Sequence, residues 1–185
     1  MSKRYGIQLA GEGGQGVVLA AVILAEAAAI HEGKNVAQSA SYGPEARGGL
    51  TESEVIISDE EIDYPRIVEA DLLLAMSQKA CDKYFPFLKK GGLLLVDSVN
   101  VERVPTADAW QVPITKIAEE ATGKSVAANM VALGLIVGLT GVVSIEAIEA
   151  AVTARAPRGS EEMNVKALRA GLAFVRERQK TSDRE

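Results

Sequence analysis

At 185 residues the chain has the length of one ordinary domain and can bury a sizeable core. Hydrophobic residues make up 48% of it and aromatic residues only 4%, so Ala, Val, Leu and Ile must fill that core, in closely packed helices and buried strands. The 20 Lys and Arg against 25 Asp and Glu give a net charge of -5 with no basic block outside the last turns, which argues against nucleic-acid binding, and the single cysteine, Cys81, excludes an internal disulfide framework.

The first residues, Met1 to Gly6, enter a short apolar run without the long hydrophobic region of a signal peptide, so a cytoplasmic protein is expected. No repeat or low-complexity linker divides the chain, and residues 1–185 are read as one domain. Tyr5 to Ala10 predicts a strand, Gly11-Glu12-Gly13-Gly14-Gln15-Gly16 a tight glycine turn, and Val17 to Ile30 a helix whose one charge is Glu26. A helix apolar nearly all round should be covered on both sides, by its own sheet and by another element or subunit.

Asn35 to Ser41 reads as a second strand and Leu50 to Ser58 as a third. Between them, Ser41 to Gly49 holds three glycines and Pro44, which sustain neither helix nor strand and let the backbone approach something closely. Ala70 to Met76 predicts a buried strand, Gln78 to Leu88 a helix closed by Lys89, Lys90 and Gly91, and Gly92 to Asp97 another buried strand. That β-α-β alternation favours parallel pairing in a doubly wound sheet over an antiparallel alternative. Ala109 to Pro113 has the length and the prolines of an edge strand.

The last third is helical. A helix is expected over about Ile114 to Thr122. The run from Ser125 to Ile145 carries no charge and spaces Gly134 and Gly138 as in a membrane helix contact, but Leu139-Thr140-Gly141 and the N-cap Ser144 divide it into two helices, the first buried over roughly 126 to 139. A final helix runs from Ser160 or Glu161 to about Arg178. It carries two apolar stripes: Val165, Leu168, Leu172 and Val175 on one side, Met163, Ala167, Ala170 and Phe174 on the other. The second faces either a groove of the same domain or a partner. The expected fold is a single α/β, Rossmann-like domain with a mostly parallel sheet flanked by helices.

The glycine loop between strand and helix offers backbone amides and a helix N-terminus to an anion, or serves as a tight turn. A dinucleotide site further needs an acidic residue at the end of the second strand, where this chain has Gln38-Ser39-Ala40-Ser41. Ala118 to Ser125 satisfies a relaxed phosphate-loop pattern but puts Glu119 and Glu120 where amides are needed, so Gly123 is read as a helix end. No nucleophile elbow is present, and His31 stands at a helix end. Cys81 lies among Lys79, Asp82 and Lys83, where its thiolate could be favoured, although a structural cysteine fits better. No paired carboxylates accompany Asp71 or Asp97. No catalytic residue is assigned.

Three motifs then combine: the glycine loop, Ser41-Tyr42-Gly43-Pro44-Glu45-Ala46-Arg47-Gly48-Gly49, and Ala70-Asp71-Leu72-Leu73-Leu74-Ala75, with Asn129-Met130-Val131-Ala132-Leu133-Gly134 further on. Their order and spacing resemble the gamma subunit of 2-oxoacid:ferredoxin oxidoreductases from about Tyr5 to Arg178. The Tyr-Gly-Pro-Glu-x-Arg-Gly-Gly loop is the specific part. The resemblance implies a multi-subunit enzyme that oxidatively decarboxylates a 2-oxoacid with coenzyme A to an acyl-CoA, CO2 and reduced ferredoxin. The form of the arginine loop is closest to the 2-oxoglutarate branch, pyruvate and branched-chain enzymes share the architecture, and the small subunit of indolepyruvate:ferredoxin oxidoreductase is the nearest alternative. An NAD(P)-dependent oxidoreductase stands as a reading from another class.

By the same resemblance, thiamine diphosphate, Mg and iron–sulfur clusters belong to other subunits. The partners are the alpha and beta subunits, a delta subunit where one exists, and ferredoxin through the complex, with neither nucleic acid nor membrane. Gly11, Gly13, Gly14, Gln15 and Gly16 would receive phosphate or touch a partner chain, and Tyr42, Arg47, Gly48 and Gly49 would form an interface loop near the active site. Arg47 would grip a phosphate or carboxylate, or form an ion pair with Glu45 or a neighbouring subunit.

Overall fold

The computed structural model describes residues 4–43 and 49–182. Six strands form one sheet: β1 (Arg4–Glu12), β2 (Asn35–Tyr42), β3 (Leu50–Ser58), β4 (Ala70–Ala75), β5 (Leu88–Asp97) and β6 (Trp110–Val112). Their order across the sheet is β2-β3-β1-β4-β5-β6. The pairs β1–β4, β4–β5 and β5–β6 are parallel, whereas β3 is antiparallel to both β1 and β2. Five strands therefore share one direction and β3 alone is reversed. The β-α-β alternation correctly predicts the parallel half, but β3 runs antiparallel to β2 and slots between β2 and β1.

Helix α1 (Val17–Glu26) continues into a π-helical turn over Ala27–His31, and buries Val17, Ala20, Ala21, Ile23 and Leu24. Its partners include Ile7 and Leu9 of β1 and Val55 and Ile57 of β3, which alternate onto one sheet face as the two-residue strand period requires. Its far side meets α4 (Ala128–Thr140) and α5 (Ile145–Arg155), so cover for a helix apolar all round comes largely from within the chain. The opposite sheet face is thinner. There α2 (Gln78–Tyr84) packs Ala80, Cys81 and Tyr84 against Ala10, Leu73, Ala75, Leu94 and Val96.

The uncharged run from Ser125 resolves into a 3-10 turn (Ser125–Ala127), α4 and α5, with Gly141 closing α4 and the Ser144 hydroxyl accepting from the Ala147 amide. No helix among the described residues is long and apolar enough to cross a membrane. The Gly134 and Gly138 spacing marks a helix contact all the same, with α6 (Glu161–Ser182). A Cβ on Gly134 would overlap the Leu168 carbonyl oxygen, and one on Gly171 would overlap that of Val131. Two glycines thus let the α4 and α6 backbones touch.

Helix α6 settles the question of its second stripe. Leu168, Leu172 and Val175 are buried, and so is Ala167 of the other stripe, with Phe174 half-buried against the same core between α4 and α3 (Ile114–Thr122). Both stripes face the domain itself. Further along, the Arg178 guanidinium stacks 4.4 Å over the Trp110 ring and ties α6 to the sheet's β6 edge.

Candidate functional site

The strand order reverses direction at β1. From β1 the chain passes through α1 to the β2 side, and later returns to β4 on the other flank. In open α/β sheets such a switch point leaves a crevice beyond the carboxyl ends of the strands. A cavity of about 280 Å³ lies there. Gly14 and Gln15 line it after β1, Met76 after β4 and Asn100 after β5, with Thr115 from the start of α3 and Ser125, Val126 and Ala128 from the start of α4.

Three helix starts therefore converge on one crevice, α1 after Gly16, α3 after Pro113 and α4 after its 3-10 turn; none is capped by its own N-cap side chain, but the Thr115 amide of α3 donates to Asp97 and the Ala128 amide of α4 to the Ser125 carbonyl. The amides at the start of α1 and the positive ends of the three helix dipoles give such a place affinity for anions. Asp97, fully buried beside it, is not a free acid. Its carboxylate accepts from the Val99 and Thr115 amides, from Asn100 Nδ2 at 2.7 Å and from the Thr115 hydroxyl at 2.5 Å, and so fixes the β5 exit and the start of α3.

The glycine loop is held from three directions. The Gly13 amide donates to the Gly49 carbonyl at 2.8 Å, joining the loop to the start of β3. Gln15 spans the switch point: its Oε1 accepts from the Glu12 amide at 2.7 Å, and its Nε2 donates to the Met76 carbonyl at 2.8 Å. Asn129 Nδ2 donates to the Gly16 carbonyl at 3.2 Å. Gly14 (φ +98°) and Gly16 (φ +72°) hold left-handed backbone that a side chain would strain. Gly11 lies within β1 opposite Thr51.

Of the residues singled out from sequence, Gly11, Gly13, Gly14, Gln15, Gly16 and Gly49 are thus brought together, with Gly14 and Gln15 on the crevice itself. Tyr42 closes β2 with 69% of its surface exposed. Arg47 and Gly48 lie outside the described residues. The crevice also holds Asn100 and Thr115, which sequence reading passed over, and Ser125, which it met only in the rejected phosphate-loop pattern, because their approach depends on how three separate loops converge. Among them Asn100 alone closely follows a buried strand ending in Asp, at Asp97, the local signal available for it, whereas Thr115 follows β6, which ends at Val112.

Other candidates fall away. Cys81 is completely buried, and burial, with the Asp82 charge adding to it, pushes its thiol up, opposite to activation. Asp71 accepts from the Gly6 amide at 2.7 Å and pairs with Lys89 at 2.6 Å, a structural role. A dinucleotide fold needs the second strand beside the first to bring an acid to the ribose. Here β3 intervenes, displacing the end of β2 by a further strand spacing of about 4.8 Å.

Residues 6–174 match the family described as pyruvate ferredoxin/flavodoxin oxidoreductase. The chain is 44% identical over 178 residues to the 2-oxoglutarate synthase subunit KorC of Methanocaldococcus jannaschii, covering 94% of this chain and 95% of that one. It is 36% identical over 176 residues to the ketoisovalerate oxidoreductase subunit VorA of Methanothermobacter thermautotrophicus, there covering 92% of this chain but only 36% of the longer relative. Among solved structures, the gamma subunit of the keto/oxoacid ferredoxin oxidoreductase from Geobacter sulfurreducens superposes with a TM-score of 0.82 at 49% identity, over 92% of this chain and 98% of that one. The resemblance carried by the glycine, arginine and Asn-Met motifs is borne out over nearly the whole length, and with the fold, the switch-point crevice and these likenesses in agreement, the chain belongs to the pyruvate ferredoxin/flavodoxin oxidoreductase family.

Proposed function

We propose that the chain is the gamma subunit of a 2-oxoglutarate:ferredoxin oxidoreductase, working only within a complex that converts the 2-oxoacid and coenzyme A to an acyl-CoA and CO2 while ferredoxin takes up the electron pair. The observation that carries this reading is the 44% identity over nearly full length to a protein named as a 2-oxoglutarate synthase subunit. Thiamine diphosphate with Mg and the iron–sulfur clusters belong to the alpha, beta and, where present, delta subunits. One cysteine cannot supply the several thiolates a cluster needs.

The chain's own contribution is the crevice. The amides of the glycine loop and of the start of α1, with the other helix starts around them, suit the phosphates of coenzyme A, with Gln15 and Asn129 fixing the loop that offers them. Gly13 has spent its amide on Gly49, so Gly14 and the first turn of α1 are the donors left to an incoming anion. Tyr42 and Arg47 serve the contact with the companion subunits, where Arg47 grips a phosphate or orders the contact.

Steady-state kinetics on the assembled complex separates these roles. With Arg47 as a ligand, Arg47→Ala raises the apparent KM for coenzyme A roughly ten- to hundredfold, the loss of one charge-assisted hydrogen bond of about 1.5–3 kcal/mol. Weaker retention of the subunit with an unchanged KM would refute the ligand role and leave the interface role. Greater turnover with pyruvate or indolepyruvate than with 2-oxoglutarate would overturn the substrate assignment.

A further inference from the structure

The two edges of the sheet are built differently. At one, β6 is three residues long and stops at Pro113, and short length with proline is how sheets avoid pairing with other chains. At the other, β2 runs for eight residues, Asn35–Tyr42, without a proline or a charge, and pairs with β3 in unbroken register with no bulge. Among the described residues none of the usual protections is present on that edge.

The register tells which groups are open. Gly43 donates its amide to the Leu50 carbonyl, and hydrogen-bonded pairs alternate along an antiparallel ladder. Ser41, Ser39, Ala37 and Asn35 therefore turn their amides and carbonyls to β3, while Tyr42, Ala40, Gln38 and Val36 turn theirs outward. The other side of β3 agrees: the Gly13 to Gly49 bond sets Thr51, Ser53, Val55 and Ile57 toward β1, leaving Glu52, Glu54 and Ile56 for β2. Gln38, Ala40 and Tyr42 are exposed.

We propose that the β2 edge is a docking strand, to which an extended, uncharged segment of a companion subunit adds as a further strand of the sheet. The inference rests on the chain being a subunit of such a complex. Two features favour a companion subunit over a second copy. A strand pair about 27 Å long, at 3.4 Å per residue, covers only a thin strip, well short of the ~1,200–2,000 Å² of a stable independent interface. A companion held by other contacts needs no more than the strip offers. In the ketoisovalerate relative the matching stretch is about a third of a longer chain, so there the neighbouring parts are tethered.

Hydrogen exchange with mass spectrometry on the free chain and on the assembled complex tests this. The amides of Val36, Gln38, Ala40 and Tyr42 should exchange freely in the isolated chain and slow by roughly tenfold or more on assembly, while those of Ala37, Ser39 and Ser41 are protected in both. Ala40→Pro removes one outward amide without costing a bond to β3, and should leave thermal stability unchanged while reducing incorporation into the complex. Unchanged exchange in a complex that forms normally overturns the inference alone. Protection that appears in the free chain and grows with its concentration assigns the edge to a second copy, and overturns it too. A chain that does not assemble with larger subunits overturns the subunit reading and this inference together. Should Ala40→Pro fail to fold, the wild-type exchange data still decide.

Discussion

Gly16 and Asn129 carry the geometry of the glycine loop, and a double-mutant cycle measures how. Gly16 sits at φ +72° and a Cβ there would lie 2.9 Å from Asn129 Cγ and 3.3 Å from its Cβ, with Nδ2 closer still. In Gly16→Ala the left-handed backbone costs about 1–2 kcal/mol. Relief of the overlap by rotating Asn129 gives up its bond to the Gly16 carbonyl, about another 1 kcal/mol. That carbonyl also accepts from the Ala20 amide, so Asn129→Ala orphans nothing and should cost only about 1 kcal/mol by itself. The double variant then carries the backbone cost and one lost bond, so it should fall short of the sum of the singles by about 1 kcal/mol. In urea unfolding, Gly16→Ala should lose about 2–3 kcal/mol, equivalent to roughly 4–12 °C in Tm for a chain of this size. Strict additivity, or a Gly16→Ala variant as stable as the parent, would refute the account of the loop.

Gly171→Ala places a Cβ 3.0 Å from the Leu135 amide nitrogen and 3.1 Å from Gly134 Cα, both backbone, so chemical denaturation should show a loss of about 1–3 kcal/mol. Gly138→Ala meets only the Val175 side chain at 3.2 Å and should stay within about 1 kcal/mol of the parent. Hydrogen bonds from Arg155 and Arg169 hold the carboxyls of Glu26 and Glu149 below the usual carboxylate range. Their stabilisation is present above the unfolded-state pKa of about 4.3 and is lost as pH falls through the lower folded values, so unfolding below that pH should become less steeply acid-dependent in the Arg155→Ala and Arg169→Ala double variant. Tyr84 is pushed up by burial, with the Glu52 charge and hydrogen bond adding to it, so ultraviolet titration should show it ionising above the ordinary tyrosine range.

The first β-α unit and the C-terminal helices were legible because each rests on a local cause: glycine where backbone must turn left, apolar residues at helical spacing, Ser144 as a cap. The small-residue spacing at Gly134 and Gly138 also spoke correctly of a close helix contact, although its partner, Gly171, lies far along the chain. What stayed hidden depends on contacts distant in sequence. Nothing local distinguishes a reversed β3 from a parallel one, since its alternation is the same either way. β5 begins at Leu88, not Gly92, because a register shift against β4 between Ala70 and Leu72 absorbs the extra residues around Gly91. At the site, the glycine signal located the loop, but Gln15 reaching Met76 and Gly13 reaching Gly49 could be seen only once β1, β3 and β4 were side by side.

The central claim is that this chain is an obligatory but incomplete part of a 2-oxoacid:ferredoxin oxidoreductase. The most direct measurement is 2-oxoglutarate- and coenzyme A-dependent reduction of ferredoxin by the isolated chain, by the companion subunits alone, and by the complex reconstituted from both and verified by native mass spectrometry. The account predicts turnover only in the reconstituted complex, with this chain present in stoichiometric amount. Turnover by the isolated chain, or undiminished turnover by the companion subunits without it, would contradict the account.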